Sequence, residues 1–151
     1  PLELKNQLVD ADLVVGAVLI PGASAPKLIE KSFLSKMKKN SVLVDVAIDQ
    51  GGCFETSRPT THQNPIYYEE DVLHYCVANM PGGVPRTSTL ALNKVILPFL
   101  VKLANKGYQK ALGEDKNFLA GLNVHKGHVT YKAVADVFGH EYVSAGEAIK
   151  N

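Results

Sequence analysis

The chain has 151 residues, 46% of them hydrophobic and 21% charged, with 16 Lys and Arg against 15 Asp and Glu. The formal net charge of +1 leaves no strong field for nucleic acid or an anionic membrane surface. No apolar run is expected to span a bilayer, and two cysteines, Cys53 and Cys76, are too few for a disulfide framework.

Pro1 to Asp10 mixes charges with leucines and has no signal-peptide pattern, so reduced thiols in the cytoplasm are expected. Leu2 to Leu8 reads as the end of a helix or a connection. Asp12 to Ile20 is a near-continuous apolar run, which fits a strand covered on both faces as in a parallel sheet. Pro21-Gly22 ends it. Pro26 suits the first turn of a short helix. Ser32 is a candidate cap for a further turn from Phe33 to Lys38, with Leu34 and Met37 facing inward. Lys36, Lys38 and Lys39 suit the end of that turn, and Asn40 suits a left-handed C-terminal conformation. A second strand then runs from Ser41 through Val44-Asp45-Val46-Ala47-Ile48-Asp49, stopped by Gln50-Gly51-Gly52. Strand, helix, strand is a βαβ unit.

Phe54 to Asn64 reads as a polar loop, and Pro65 to Tyr68 as extended. Val72 to Ala78 is a third strand, closed by Asn79-Met80-Pro81-Gly82-Gly83. Thr87-Ser88 caps a long apolar helix, Thr89 to Asn105, in which Pro98 predicts a kink or break. Gly107 ends it. Lys110 to Asn117 reads as a charged turn region and Leu119 to Val124 as extended, with Gly121 at a bulge or turn. Thr130 caps a short helix, Tyr131 to Phe138, stopped by Gly139. A helical turn follows from Glu147 to Asn151.

Three strands make a poor sheet alone, and the first would leave an apolar edge unpaired. The Gly-rich fingerprint of a dinucleotide fold is also missing after the first strand. The simplest account is an α/β chain forming the second half of a doubly wound, Rossmann-type parallel sheet. The remaining strands would lie on residues outside this sequence. Asp49, at a strand's carboxyl end, is where such a sheet holds a ligand. Asp45, inside the strand, reads as a hydrogen-bonded structural acid and His74 as a structural histidine. Cys53 has no histidine partner placed by sequence and is expected to be inert. No Cys or His group has metal-ligand spacing.

Three strings carry a resemblance: Gly16-Ala17-Val18-Leu19-Ile20-Pro21-Gly22, Val44 to Gly52, and Ala78 to Thr89. They closely resemble the alanine dehydrogenase family, a relative of the soluble domain of proton-translocating transhydrogenases. The likeness runs from about Leu2 to about Ile149. It implies reversible, NAD-dependent oxidative deamination of L-alanine to pyruvate and ammonia by a cytoplasmic homohexamer. Residues 1–85 would be the C-terminal half of the NAD domain. Residues 86–151 would be the connecting helix and the C-terminal part of the substrate domain.

By motif, the resemblance implies that Val18 and Leu19 neighbour the adenosine half of NAD. Val46, Ala47, Ile48 and Asp49 would run along the nicotinamide ribose. Arg58 would lie near the cofactor, and Val77, Ala78, Asn79 and Met80 would form the wall against the nicotinamide. Asp49 would also be the active-site carboxylate. The family's catalytic histidine and substrate-carboxylate clamp lie in its N-terminal part, so this chain alone is not expected to turn over alanine. Two other readings compete. One is the nucleotide-binding part of a transhydrogenase; the other is a non-catalytic piece that only packs into an oligomer.

Overall fold

The computed structural model describes residues 2–21 and 24–150. The chain divides into two compact units, residues 1–20 with 24–84 and residues 21–23 with 85–151.

The first unit is α/β. Helix α1 (Leu2–Asp10) leads into strand β1 (Leu13–Gly16), followed by α2 (Lys31–Leu34), β2 (Val42–Asp45), β3 (Ile66–Glu69) and β4 (Val72–Tyr75). The sheet order is β1-β2-β4-β3. β1, β2 and β4 pair in parallel, and β3 pairs antiparallel with β4. The three expected parallel strands are therefore present, but the sheet has a fourth member. β3 was expected only as an extended stretch. It joins through the two-residue turn Glu70-Asp71, whose φ values of 47° and 62° are what a type I′ hairpin turn requires.

Side chains alternate across the sheet. Leu43 and Asp45 of β2 point to the covered face, where Leu8, Ile29, Phe33, Leu34, Met37, Phe54 and Val72 form the core. Leu34 and Met37 face inward as expected, and Asn40 is left-handed with φ 61°. The opposite face is less covered: Leu13 and Val15 are 59% and 56% exposed. The expectation of a first strand buried on both faces is thus not met among the described residues. β1 also ends at Gly16 rather than Ile20, and Gly22 lies outside the described residues.

No helix forms at Pro26. Residues 24–30 stay outside any helix because their backbone bonds elsewhere: Ala25 N–H donates to Gln50 O, Leu28 N–H to Cys53 O, and Ile29 bridges Phe54. Helix α2 is shorter than expected, and Ser32 lies inside it rather than capping it; the N-cap is Glu30, whose side chain makes no capping bond.

The second unit holds α3 (Pro85–Lys106), α4 (Tyr108–Gly113), α5 (Lys116–Leu119), the hairpin β5 (Val124–His125) and β6 (His128–Val129), α6 (Lys132–Phe138) and α7 (Ala145–Ala148). α3 begins at Pro85, a favoured first helical position, and continues through Pro98 without breaking. By length and composition alone it could cross a bilayer, contrary to expectation. Asn93, Lys94 and Pro98 hide that length in the sequence. The supposed turn region from Lys110 holds two helices, the second capped by Asp115, whose carboxylate accepts from Asn117 N–H and Phe118 N–H. α5 also occupies Leu119, which was expected to be extended. Thr130 caps nothing; its hydroxyl donates to Leu122 O. Gly139 ends α6 in a left-handed conformation as expected. α7 is capped by Ser144, whose hydroxyl oxygen accepts from Glu147 N–H and whose O–H donates to the Glu147 carboxylate. Asn151 lies outside the described residues.

Candidate functional site

The strand expected to run to Asp49 stops four residues earlier. Asp45 is wholly buried, and its carboxylate accepts from Cys53 N–H (2.8 Å), Ser57 Oγ–H (2.5 Å) and Cys53 Sγ–H (3.4 Å). A buried carboxylate needs such partners. Bringing Cys53 back to Asp45 forces the chain between them to turn. Val46–Gln50 is consequently a 3₁₀ helix, closed by Gly51 at φ 87° and followed by Gly52 at φ 74°. On the outside of this turn, Lys27 Nζ donates to Gly51 O (2.5 Å) and Gly52 O (2.8 Å). The expectation for Asp45 as a hydrogen-bonded structural acid agrees with this geometry. That for Asp49 as a strand residue does not.

The 3₁₀ turn faces the stretch that follows β1. Ala17, Val18 and Leu19 on one side and Val46, Ala47, Asp49 and Gln50 on the other line a cavity of about 310 Å³. This is at the low end of the roughly 300–1,000 Å³ of small-molecule sites. Asp49 is exposed, and its carboxylate has no side-chain partner among the described residues. Of the sequence candidates, the cavity brings together Val18, Leu19, Val46, Ala47 and Asp49. Ile48 points the other way, into a cluster with Tyr67 and Cys76.

Two lining residues were not foreseen. Ala17 supplies a small wall beside Gly16. Gln50 carries a buried Oε1 with no hydrogen-bond partner among the described residues. Its only sequence signal is its place next to Asp49, because an unpaired acceptor shows up only once the packing around it is known.

Arg58, Val77, Ala78, Asn79 and Met80 do not line this cavity. The Arg58 guanidinium lies 3.8 Å over the centre of the Tyr67 ring, a cation–π arrangement. Tyr67 stacks in turn on His74, with ring centres 4.9 Å apart. The Tyr67 hydroxyl accepts from Arg58 N–H and donates to Thr56 O. Val77 is buried, and Asn79 takes φ 56° at the start of the 3₁₀ turn Met80–Gly83. His62 Nε2–H donates to Asn79 O at 3.1 Å, packed against Gly82 and Gly83.

His74 is structural, as expected: Nδ1–H donates to Val72 O at 3.0 Å, and Nε2 accepts from Thr56 Oγ1–H at 2.8 Å. Burial holds its pKa below the usual histidine value. Burial, and then the bond to Cys76, raises the Tyr67 phenol above its ordinary range. Burial and the neighbouring Asp45 push the Cys53 thiol up to about 12, so it stays protonated and is no nucleophile at neutral pH. Among the described residues, no group of three or more His, Cys, Asp or Glu is placed to hold a metal ion.

The family model described as "Alanine dehydrogenase/PNT, C-terminal domain" matches residues 1–132. An alanine dehydrogenase of Halomonas elongata is 63% identical over 97% of this chain, and one of Staphylococcus haemolyticus is 54% identical over 99%. The chain spans only 39% and 40% of their lengths. A solved L-alanine dehydrogenase superposes on 91% of the chain with a TM-score of 0.76 at 49% identity. A transhydrogenase from Sinorhizobium meliloti is more distant, with a TM-score of 0.59 over 66% of the chain at 27% identity.

Proposed function

Because the chain belongs to the alanine dehydrogenase/PNT C-terminal domain family, we propose that it is the C-terminal portion of an NAD-dependent enzyme that interconverts L-alanine with pyruvate and ammonia. The observation that carries this reading is the convergence of Ala17, Val18 and Leu19 with Val46, Ala47, Asp49 and Gln50 around one cavity, where the Asp49 carboxylate has no side-chain partner among the described residues. The family implies a nicotinamide cofactor, and the lining fits one. Ala17 and Ala47 allow close approach, Val18, Leu19 and Val46 give an apolar wall, and Gln50 Oε1 is an acceptor without a donor among the described residues.

When bound, the nicotinamide supplies hydride acceptance from the substrate carbon. The residues of this chain do the rest of what falls to it. Val18 and Leu19 would hold the adenosine half, and Val46 to Asp49 the ribose next to the nicotinamide. Arg58, stacked on Tyr67, and the turn from Val77 to Met80 would flank the cofactor from the β4 side. The Asp49 carboxylate would accept a proton, or orient a water, as the amine is replaced by oxygen at the same carbon. L-Alanine and pyruvate are then the substrates, a homohexamer the assembly and the cytoplasm the location. The remaining catalytic groups would come from the rest of the enzyme.

The test uses the full-length protein carrying this sequence. L-Alanine and NAD are expected to give NADH, and Asp49→Asn to lower kcat by about 10²–10⁴-fold. Absence of alanine-dependent NADH formation by the folded protein would overturn the assignment. Hydride exchange between two nicotinamide nucleotides without alanine would point to the transhydrogenase branch instead.

A further inference from the structure

We propose that Asp45 and Ser57 form a positioning pair that fixes where Asp49 stands, a role that rests on reading Asp49 as an active-site carboxylate. Asp45 ends β2, and Ser57 lies in the polar loop beyond the 3₁₀ turn. Neither lines the cavity. Their hydrogen bond of 2.5 Å, with that from Cys53 N–H to the same Asp45 oxygen, ties together the two ends of the segment that carries Asp49.

The tie has little slack. A Cβ added at Gly52 would fall 2.5 Å from Ser57 Cβ and 2.7 Å from Asp45 Oδ2. A Cβ at Gly16, which pairs with Asp45 in the sheet, would overlap Cys53 Sγ and Phe54. From outside, Lys27 Nζ grips Gly51 O and Gly52 O, and Ala25 N–H grips Gln50 O. The backbone around Asp49 is held on the core side by Asp45 and on the outer side by residues 25 and 27. The Asp49 carboxylate has no side-chain partner among the described residues. A misplacement of about 1 Å at a reacting group costs up to about 10²-fold in rate. Losing the Ser57 bond loosens the core side of this bracket while the Cys53 N–H bond to Asp45 stays in place.

The experiment compares Ser57→Ala with the wild type in the full-length protein, alone and combined with Asp49→Asn. Ser57→Ala is expected to lower kcat for alanine oxidation by about 10-fold, with the alanine KM changing by less than about 2-fold. In the Asp49→Asn background the same substitution is expected to cost less than about 2-fold, since it acts through the group already removed. A purely structural Ser57 gives equal losses in both backgrounds, or a lower melting temperature with unchanged kcat, and either result overturns the proposal. Amide hydrogen exchange over residues 46–52 gives a readout independent of activity and is expected to quicken in Ser57→Ala; unchanged exchange also overturns it. If the wild type does not oxidise alanine, the functional reading fails, and the exchange data still decide whether the bracket exists. Asp45→Asn, equal in shape, is the second variant if Ser57→Ala does not accumulate.

Discussion

Replacing Gly52 by alanine is expected to damage the protein far more than the same change at Gly51, although the two glycines are adjacent and both left-handed. Gly51 has φ 87° and open space around a built Cβ. Its alanine variant carries only the left-handed penalty of about 1–2 kcal/mol, partly offset by about 0.4–1 kcal/mol from a less flexible unfolded chain. Gly52 has φ 74°, so the backbone terms are the same. Its Cβ also presses on Ser57 Cβ at 2.5 Å and on Asp45 Oδ2 at 2.7 Å. Overpacking of this kind costs a further ~1–3 kcal/mol. The difference between the variants is therefore about 1–3 kcal/mol, or roughly 5- to 150-fold in local opening at 1.4 kcal/mol per tenfold. Native-state amide exchange of residues 46–53 reads that opening directly, and melting temperature reads its global share. Equal exchange and equal melting in the two variants would refute the crowding around Asp45.

Three further outcomes follow from the same geometry. His74 has a folded pKa below its unfolded value, so its contribution is intact above about pH 6.5, the ordinary histidine value, and is lost as pH falls, because the unfolded chain takes up the proton first. Denaturation midpoints between pH 7.5 and 5.5 are expected to fall more steeply in the wild type than in His74→Gln; parallel profiles would contradict this. Cys53 is shifted the other way, from 9.0 to about 12, so its contribution is present below pH 9 and fades as pH rises toward 12. Alkylation at pH 8 followed by peptide mass mapping is expected to leave Cys53 unmodified in the native protein and modified after denaturation. Asp115→Ala removes both bonds that start α5 and is expected to cost about 1 kcal/mol of local stability, seen as faster exchange at Asn117 and Phe118.

The class of fold and the three parallel strands were legible because apolar runs separated by glycine and proline turns repeat along residues 12–83. The family was legible from three strings. What the sequence hid were places where a side chain far along the chain decides local structure. Ile48 and Val46 look like strand residues, yet Asp45 needs Cys53 and Ser57, and that requirement bends the strand into a 3₁₀ turn. Pro26 suits a helix start, yet Gln50, Cys53 and Glu55 hold residues 25–29 outside any helix. Tyr67 and Tyr68 were read as extended and Val72 to Ala78 as a strand, but their antiparallel pairing was not foreseen, because the Glu70-Asp71 turn lacks the glycine that usually announces a type I′ hairpin. Most of the cavity lining was visible: Val18, Leu19, Val46, Ala47 and Asp49 came from motif, whereas Ala17 had no signal and Gln50 mattered only through an unmatched oxygen.

The β3–β4 hairpin has a consequence for how quickly the sheet assembles. Its strands are joined by two residues, so their pairing closes almost no loop, and isolated hairpins form in about 1–10 μs. β2 and β1 each join through long connections, whose closure entropy must be met before pairing rewards it. The β3–β4 pair is therefore expected to form before β2 and β1 join the sheet. Glu70 and Asp71, both held at positive φ, set the start of that sequence. Asp71→Gly, which removes the strain at the turn, is expected to speed refolding more than it slows unfolding.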